Sequence, residues 1–181
     1  MFRDWIFIRD SQGFALDLWV IMKRLWLIVS IFVLMATVAY AVPVIVIVRH
    51  AEKASTGGKD PELSVAGQKR AEALARVLKD SQLTSVFVTE LKRTQQTAAP
   101  TARAAHLPPI VVPANDVPAL VAKLRALNGN ALVVGHGNTI PDLIKALGIA
   151  ASITIPEDDY NEIFLVSLTA PPQLLRLHYP F

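Results

Sequence analysis

The chain has 181 residues and a formal net charge of +3, and 52% of its residues are hydrophobic. This length fits one domain with an appendage better than two domains. From residue 42 onward, 14 Lys and Arg stand against 12 Asp and Glu, a balance that argues against a nucleic-acid-binding protein. The chain has no cysteine, which excludes disulfides, thiol nucleophiles and thiolate metal sites.

The hydrophobic residues are concentrated near the N-terminus. Residues 22–41 begin with Met-Lys-Arg, continue through an uncharged apolar run and end in Ala-Tyr-Ala, the pattern typical of a signal peptide. We therefore predict an upstream extension at 1–21, a signal peptide at 22–41 and an exported, periplasmic domain at 42–181. The alternative is an uncleaved inner-membrane anchor at 25–41, which is disfavoured because the apolar run is short for a bilayer span.

The segment after the leader alternates strands with helices. Residues 44–48 are a continuous β-branched run, typical of a strand buried on both faces, and a loop from 51 to 63 follows. The later elements predicted are a helix from Ser64 to Leu78, a strand at 85–88, a helix from Thr89 to about Ala105, a strand at 110–112, a helix from Asp116 to Leu127, a strand at 131–134, a helix ending at Gly148, and closing strands at 163–168 and 174–178. This order predicts a three-layer α/β/α sandwich with a mostly parallel central sheet.

Charged and polar side chains follow the buried strands. Arg49 and His50 come directly after the first strand, His136 follows the fourth, and Arg93 lies in the first turn of the helix after the second. Because the carboxyl ends of parallel strands meet at one edge of a sheet, we expect these four side chains to converge there. They would repel one another unless an anion lay between them, and the guanidinium fork matches phosphate oxygens. The helix after Gly137 would add backbone N–H donors.

Four ordered segments resemble the motifs of the histidine phosphatase superfamily, which includes the phosphoglycerate mutases. They are Arg49–Glu52 (RHAE), Leu63–Gln68 (LSVAGQ), Thr89–Ala98 (TELKRTQQTA) and Val133–Thr139 (VVGHGNT). The first differs from the family's Arg-His-Gly-Glu only in having Ala51 at the glycine position. The resemblance implies a phosphoglycerate mutase-like fold and a phosphoric monoester hydrolase.

The resemblance also implies roles for individual residues. His50 would be the nucleophile and form a phosphohistidine, which water then hydrolyses. Arg49, Arg93 and His136 would bind phosphoryl oxygens and stabilise the transition state, with Gly137 as a further phosphate-binding position. No metal or other cofactor is expected, because cationic side chains supply what Mg²⁺ supplies elsewhere. The enzyme would be a metal-independent histidine phosphatase acting on a small phosphorylated substrate, such as a sugar phosphate or an envelope-related one.

The general acid is not assigned by the sequence. Many members of the family carry a glutamate on an insertion after the third strand, and this chain has no such insertion. Asp116 is nearest to that place, although it suits a helix N-cap better. Glu52, Asp60 and Glu62 on the first loop are the alternatives. Glu90 adds a further carboxylate, which either pairs with a site arginine or repels phosphate.

Two other functions stay open from the sequence. A phosphohistidine-protein phosphatase fits the chain length, and a non-catalytic phosphate-ligand binding module would need the arginines but no nucleophile. The acidic stretch Pro156–Tyr160 either rims the site or is only a loop before the closing strands. No nucleic-acid partner is expected, and a membrane is expected only through an uncleaved N-terminal segment. No sequence pattern indicates an oligomeric state.

Overall fold

The structure is a computed structural model that describes residues 19–28, residue 30 and residues 42–180. The chain divides into two compact units, Met1–Tyr40 and Ala41–Phe181. In the first unit, residues 19–28 form helix α1, in which Lys23 Nζ lies 3.4 Å from the centre of the Trp19 ring. Most of the predicted extension and of the predicted signal peptide lies outside the described residues. No helix among those described is long and apolar enough to cross a membrane.

One six-stranded sheet organises the second unit. Its strands are β1 Val44–Arg49, β2 Leu83–Val88, β3 Ile110–Val111, β4 Asn130–Gly135, β5 Glu162–Ser167 and β6 Gln173–His178. They lie in the order β3-β2-β4-β1-β5-β6. The first four strands run parallel, and β5 and β6 join antiparallel at one edge. The predicted, mostly parallel sheet is therefore confirmed.

Helices cover both faces of this sheet. They are α2 Val65–Val77, α3 Lys92–Ala104, α4 Val117–Arg125 and α5 Ile140–Ala146. Because alternate residues of a strand point to opposite faces, Ile45 and Ile47 join a core with α4 and α5, whereas Val46 and Val48 join a core with α2 and α3. These two cores on opposite faces make the three-layer α/β/α sandwich that the sequence predicts.

Two helices near the site begin later than the sequence predicts. The predicted start of α3 at Thr89 is wrong: the helix begins at Lys92, with Leu91 at the N-cap, because the Thr89 side chain bonds His136 and Thr94. The helix after Gly137 begins only at Ile140. The two predicted N-caps are confirmed, since Ser64 Oγ accepts from Gly67 N at 3.1 Å and Asp116 Oδ1 from Ala119 N at 3.0 Å.

The start of the first loop is held against α2 and α3. A Cβ at Gly67 would lie 2.2 Å from the carbonyl oxygen of Glu52, so this close approach of α2 to the loop requires glycine. The backbone N–H of Ala51 donates to Thr97 Oγ1 of α3 at 2.9 Å. Both contacts fix the backbone immediately after His50.

Candidate active site

His50 follows β1 and is 5% exposed. Its backbone N–H donates to the Gly135 carbonyl at the end of neighbouring β4, at 2.9 Å. Its ring Nδ1 lies 2.8 Å from the Ala51 carbonyl oxygen. A carbonyl oxygen only accepts hydrogen bonds, so Nδ1 carries a proton. In the neutral ring the lone pair is therefore on Nε2, which is the atom able to attack an electrophile.

The surroundings of His50 keep its ring neutral. Burial is the largest influence and lowers its pKa to about 4, against the opposing hydrogen bond to the Ala51 carbonyl. The nearby His136, Arg93 and Arg49 lower the pKa further. At neutral pH the imidazole is therefore uncharged, as a nitrogen nucleophile must be.

His136 follows β4 and faces His50 across the site. The two ring centres are 5.4 Å apart, with the ring planes inclined by 61°. Burial, followed by Arg93 and more weakly by Arg49, lowers the pKa of His136 to about 4, against the opposing charge of Glu90. Its Nε2 lies 3.1 Å from Thr89 Oγ1. Its Nδ1 is buried and has no hydrogen-bond partner within the described part of the chain.

Arg49 is held by the main chain of the loop before β5. Its Nη1 donates to the carbonyl oxygens of Pro156 at 2.7 Å and Asp159 at 3.0 Å. Its Cζ lies 4.3 Å from the centre of the Tyr160 ring, within cation–π range. A Cβ at Gly137 would lie 3.4 Å from Arg49 Nε, so Gly137 passes close against the guanidinium. That Nε is itself buried and has no partner among the residues described.

Arg93 lies in the first turn of α3 beside a carboxylate of the first loop. Its Nη1 is 3.8 Å from Asp60 Oδ1, and the same oxygen accepts from the backbone N–H of Lys92 at 3.1 Å. Asp60 thus holds both the start of the helix and its arginine. The Nε of Arg93, like that of Arg49, is buried without a partner in the described region.

The structure therefore brings the four predicted residues to one edge of the sheet. Three of their buried nitrogens lack hydrogen-bond partners among the described residues: Arg49 Nε, Arg93 Nε and His136 Nδ1. Buried polar groups in folded proteins are rarely left in this state. The oxygens of one tetrahedral anion would satisfy all three, and Arg donors to such oxygens form strong, charge-assisted bonds. The geometry suits an anion lying between two arginines and two histidines.

The four carboxylates considered as general acid all have partners. Both Glu52 oxygens lie 2.9 Å from Arg70 Nε, and although burial opposes it, the hydrogen bonds and charge of Arg70 hold the Glu52 pKa below its usual value. Asp116 caps α4, and the exposed Glu62 pairs loosely with a lysine at 3.7 Å. Asp60, through Arg93, is the one that pairs with a predicted site residue in the described part of the chain.

Glu90 serves a structural contact that neither sequence interpretation included. Its Oε2 accepts from the backbone N–H of Ala114 at 2.9 Å, on the segment that follows β3. The ion pair of Arg93 is instead with Asp60. Glu90 therefore fastens the loop after β3, and its charge acts on the site by opposing the fall in the His136 pKa.

Sequence reasoning missed two residues at the site. Tyr160 lies with its ring centre 6.1 Å from that of His50 and also contacts Arg49. Thr89 bonds His136. The acidic stretch before β5 drew attention to this loop, but the loop reaches the site through carbonyl oxygens and an aromatic ring, not through its carboxylates.

One group of side chains outside this site has metal-ligating atoms close together. Within the described residues, ligand atoms of Asp159, Glu162 and His178 lie within 4.8 Å of one another. Glu162 Oε1 is also paired with Arg176, a cation that competes with any metal for the same oxygen.

The sequence comparison identifies a family for half of the second unit. Residues 45–114 match the family model of the histidine phosphatase superfamily (branch 1) and belong to that superfamily. The match confirms the resemblance carried by the motifs around His50, Leu63 and Arg93. No curated protein matches the chain by sequence.

Solved structures share the fold. The protein histidine phosphatase SixA complexed with tungstate is similar with a TM-score of 0.64 and 22% identity, over 75% of this chain and 96% of that one. A mycobacterial glucosyl-3-phosphoglycerate phosphatase complexed with inorganic phosphate is similar with a TM-score of 0.60 and 18% identity, over 76% of this chain and 96% of that one. The predicted phosphoglycerate mutase-like fold is thereby confirmed.

Proposed function

We propose that residues 42–181 form an exported phosphatase that hydrolyses phosphomonoesters through a phosphohistidine on Nε2 of His50. One observation carries the proposal. The Ala51 carbonyl takes the Nδ1 proton of His50, which leaves the Nε2 lone pair beside arginine donors that lack partners in the described residues. Family membership of residues 45–114 supports hydrolase chemistry.

In the first step, Nε2 of His50 attacks phosphorus as the bond from phosphorus to the leaving oxygen breaks. The leaving oxygen keeps the electron pair and takes a proton from an acid or from water. The Nδ1 proton stays on the Ala51 carbonyl, which stabilises the positive charge of the phosphorylated ring. Water then attacks phosphorus, the phosphorus–nitrogen bond breaks, its electrons return to Nε2, and phosphate leaves.

The remaining site residues stabilise the charge on the transferred group. The Nε groups of Arg49 and Arg93 supply buried donors for its equatorial oxygens, and Arg49 is already oriented by its two carbonyl anchors. Because these cations act where a metal acts in other phosphoryl-transfer enzymes, we expect activity to survive EDTA. Loss of turnover on chelation, restored by a divalent metal, would contradict this part of the proposal.

Phosphoenzyme trapping tests the mechanism. We expect a radiolabelled phosphomonoester to leave acid-labile, base-stable label on the protein, as a phosphohistidine does. His50→Asn should remove both label and turnover of an aryl phosphate. His106→Asn is a matched control, because His106 is exposed and has a positive φ of 56°, which asparagine tolerates. Turnover retained by His50→Asn, or acid-stable label, would refute the mechanism.

Export is the second part of the proposal, and it rests on the signal-peptide pattern of residues 22–41. N-terminal sequencing of the protein recovered from the periplasm should begin at Val42. A first residue of Met1 or Met22 in a membrane fraction would instead support the anchored alternative. Export favours sugar phosphates or envelope-related phosphomonoesters as substrates over cytoplasmic metabolites.

A phosphohistidine-protein phosphatase is the second candidate function. The observation that favours it is the fold similarity to a protein histidine phosphatase over 96% of that chain. A panel containing small phosphomonoesters and a phosphohistidine-bearing protein separates the two activities by their kcat/KM values. Phosphate binding with no turnover of any member would support a non-catalytic binding module.

A further inference from the structure

The hydroxyl of Thr89 joins His136 to the start of α3, and no step described above uses it. Thr89 follows β2 and is 7% exposed. Its Oγ1 lies 3.1 Å from His136 Nε2 and 2.9 Å from Thr94 Oγ1, and it accepts from the backbone N–H of Leu91 at 3.3 Å. Three neighbours thus compete for one hydroxyl that has one proton and two lone pairs.

The neighbouring Thr94 limits what this hydroxyl can do. The shortest contact of Thr94 Oγ1 is with the Leu91 carbonyl oxygen, at 2.8 Å, and a carbonyl only accepts. The single proton of Thr94 therefore goes to Leu91, and Thr94 does not donate to Thr89. Thr94 Oγ1 also accepts from the backbone N–H of Thr89 at 3.1 Å. The Thr89 proton is left with two acceptors, Thr94 Oγ1 and His136 Nε2.

The choice between these acceptors decides the tautomer of His136. If Thr89 donates to Nε2, the single proton of the neutral ring must be on Nδ1. If Nε2 donates to Thr89, Nδ1 becomes an acceptor. Nδ1 is buried, has no partner among the described residues, and belongs to a ring on which Arg49 and Arg93 both act. Phosphoryl oxygens only accept, so a neutral His136 can bond one through Nδ1 only when Nδ1 carries the proton.

We propose that Thr89 is a positioning residue whose hydroxyl donates to Nε2 of His136 and so holds the ring proton on Nδ1 for a phosphoryl oxygen. The proposal rests on the proposed phosphatase function for its catalytic consequence but not for the tautomer. Thr94 is the second member of the chain, because its bond to Leu91 leaves the Thr89 proton for the histidine. His136 stays neutral throughout, and no proton is transferred.

The tautomer can be measured without turnover. ¹⁵N NMR of the labelled protein at pH 7, without phosphate, distinguishes a protonated from an unprotonated ring nitrogen, and a His136→Gln spectrum assigns the signals. We expect the proton on Nδ1 in the unsubstituted protein and in Thr89→Ser, and a loss of that preference in Thr89→Val. A proton on Nε2 of His136 in the unsubstituted protein overturns the proposal, whatever the stability of the variants.

Steady-state kinetics on an aryl phosphate test the consequence. Thr89→Val should lower kcat by about 10–100-fold, as is usual when a residue that orients a catalytic group is lost, with little change in KM. Thr89→Ser should rescue activity. Thr101→Val is the matched control, because Thr101 is also buried and its hydroxyl has no partner in the described chain.

Two outcomes separate this proposal from its neighbours. A Thr89→Val protein with raised KM and unchanged kcat would mean that the hydroxyl contacts substrate directly, which overturns the positioning role. An unsubstituted protein with the proton on Nδ1 but no phosphatase activity would refute the proposed function and support the role of Thr89.

Discussion

Replacing Tyr160 by Ala tests whether the loop before β5 positions Arg49. The guanidinium carbon of Arg49 lies 4.3 Å from the centre of the Tyr160 ring, and Nη1 is anchored on two carbonyl oxygens nearby. Removing the ring deletes the cation–π contact and opens one side of the guanidinium to water. The hydroxyl of Tyr160 has no role in this argument, so Tyr160→Phe is the matched control.

The expected loss follows from the environment of Arg49. A cation–π contact contributes about 0.5–1 kcal/mol when exposed and about 2 kcal/mol when desolvated. Arg49 is half-buried, so a contribution of about 1–1.5 kcal/mol is expected, which corresponds to about 5–10-fold in rate. Tyr160→Ala should therefore lower kcat/KM by about this factor, and Tyr160→Phe should stay close to the unsubstituted protein.

The assay is kcat/KM for an aryl phosphate and an alkyl phosphate in a double-mutant cycle with Arg49→Lys. If Tyr160 acts through the guanidinium, its replacement should cost much less when lysine is at position 49. An unchanged kcat/KM in Tyr160→Ala would refute the reasoning. So would an equal loss in both backgrounds that is confined to the aryl substrate, because Tyr160 would then contact the leaving group.

Further predictions concern ionisation, the candidate acids and the loop network. Because the folded-state pKa values of His50 and His136 are near 4 against 6.5 in a model peptide, the unfolded chain binds more protons between these values. The free energy of unfolding should therefore fall as pH drops from about 6.5 to 4, by up to about 3 kcal/mol per histidine, and the double Gln variant should show a flatter pH dependence in urea titrations. Asp116→Ala should cost about 1 kcal/mol of stability through the lost N-cap and lower kcat equally for good and poor leaving groups; a loss confined to poor leaving groups would make Asp116 the acid. Glu52→Gln should cost about 2–3 kcal/mol in the same titrations because its buried arginine partner keeps its charge, whereas the exposed Glu62→Gln should cost under about 0.5 kcal/mol, and equal costs would contradict the packing argument.

The parts of the site that follow strands could be predicted because buried parallel strands announce themselves. Residues 44–48 and 131–134 are apolar runs, and the residues after such strands meet at one edge of the sheet. That argument needs only local sequence and the class of fold. It placed Arg49, His50 and His136 in the site, and the helix pattern after the next strand placed Arg93 there.

Thr89 and Tyr160 could not be predicted because their roles depend on which strands pair and in what register. Phe87 of β2 pairs with Val133 of β4, so the residues that follow, Thr89 and His136, become neighbours. Val48 of β1 pairs antiparallel with β5, which brings the residues before β5 to the end of β1. A local pattern instead favours an N-cap role for a threonine before a helix.

The two carbonyl anchors of Arg49 separate the chemistry of the site from the side chains of its rim. Carbonyl oxygens are supplied by every residue type, so the exposed Glu157 and Asp158 between the anchors can change without loosening the arginine. Related enzymes can therefore diverge in substrate preference along this stretch while keeping one phosphoryl-transfer centre. The same stretch is the place where a protein engineer could install a new preference with the least damage to turnover.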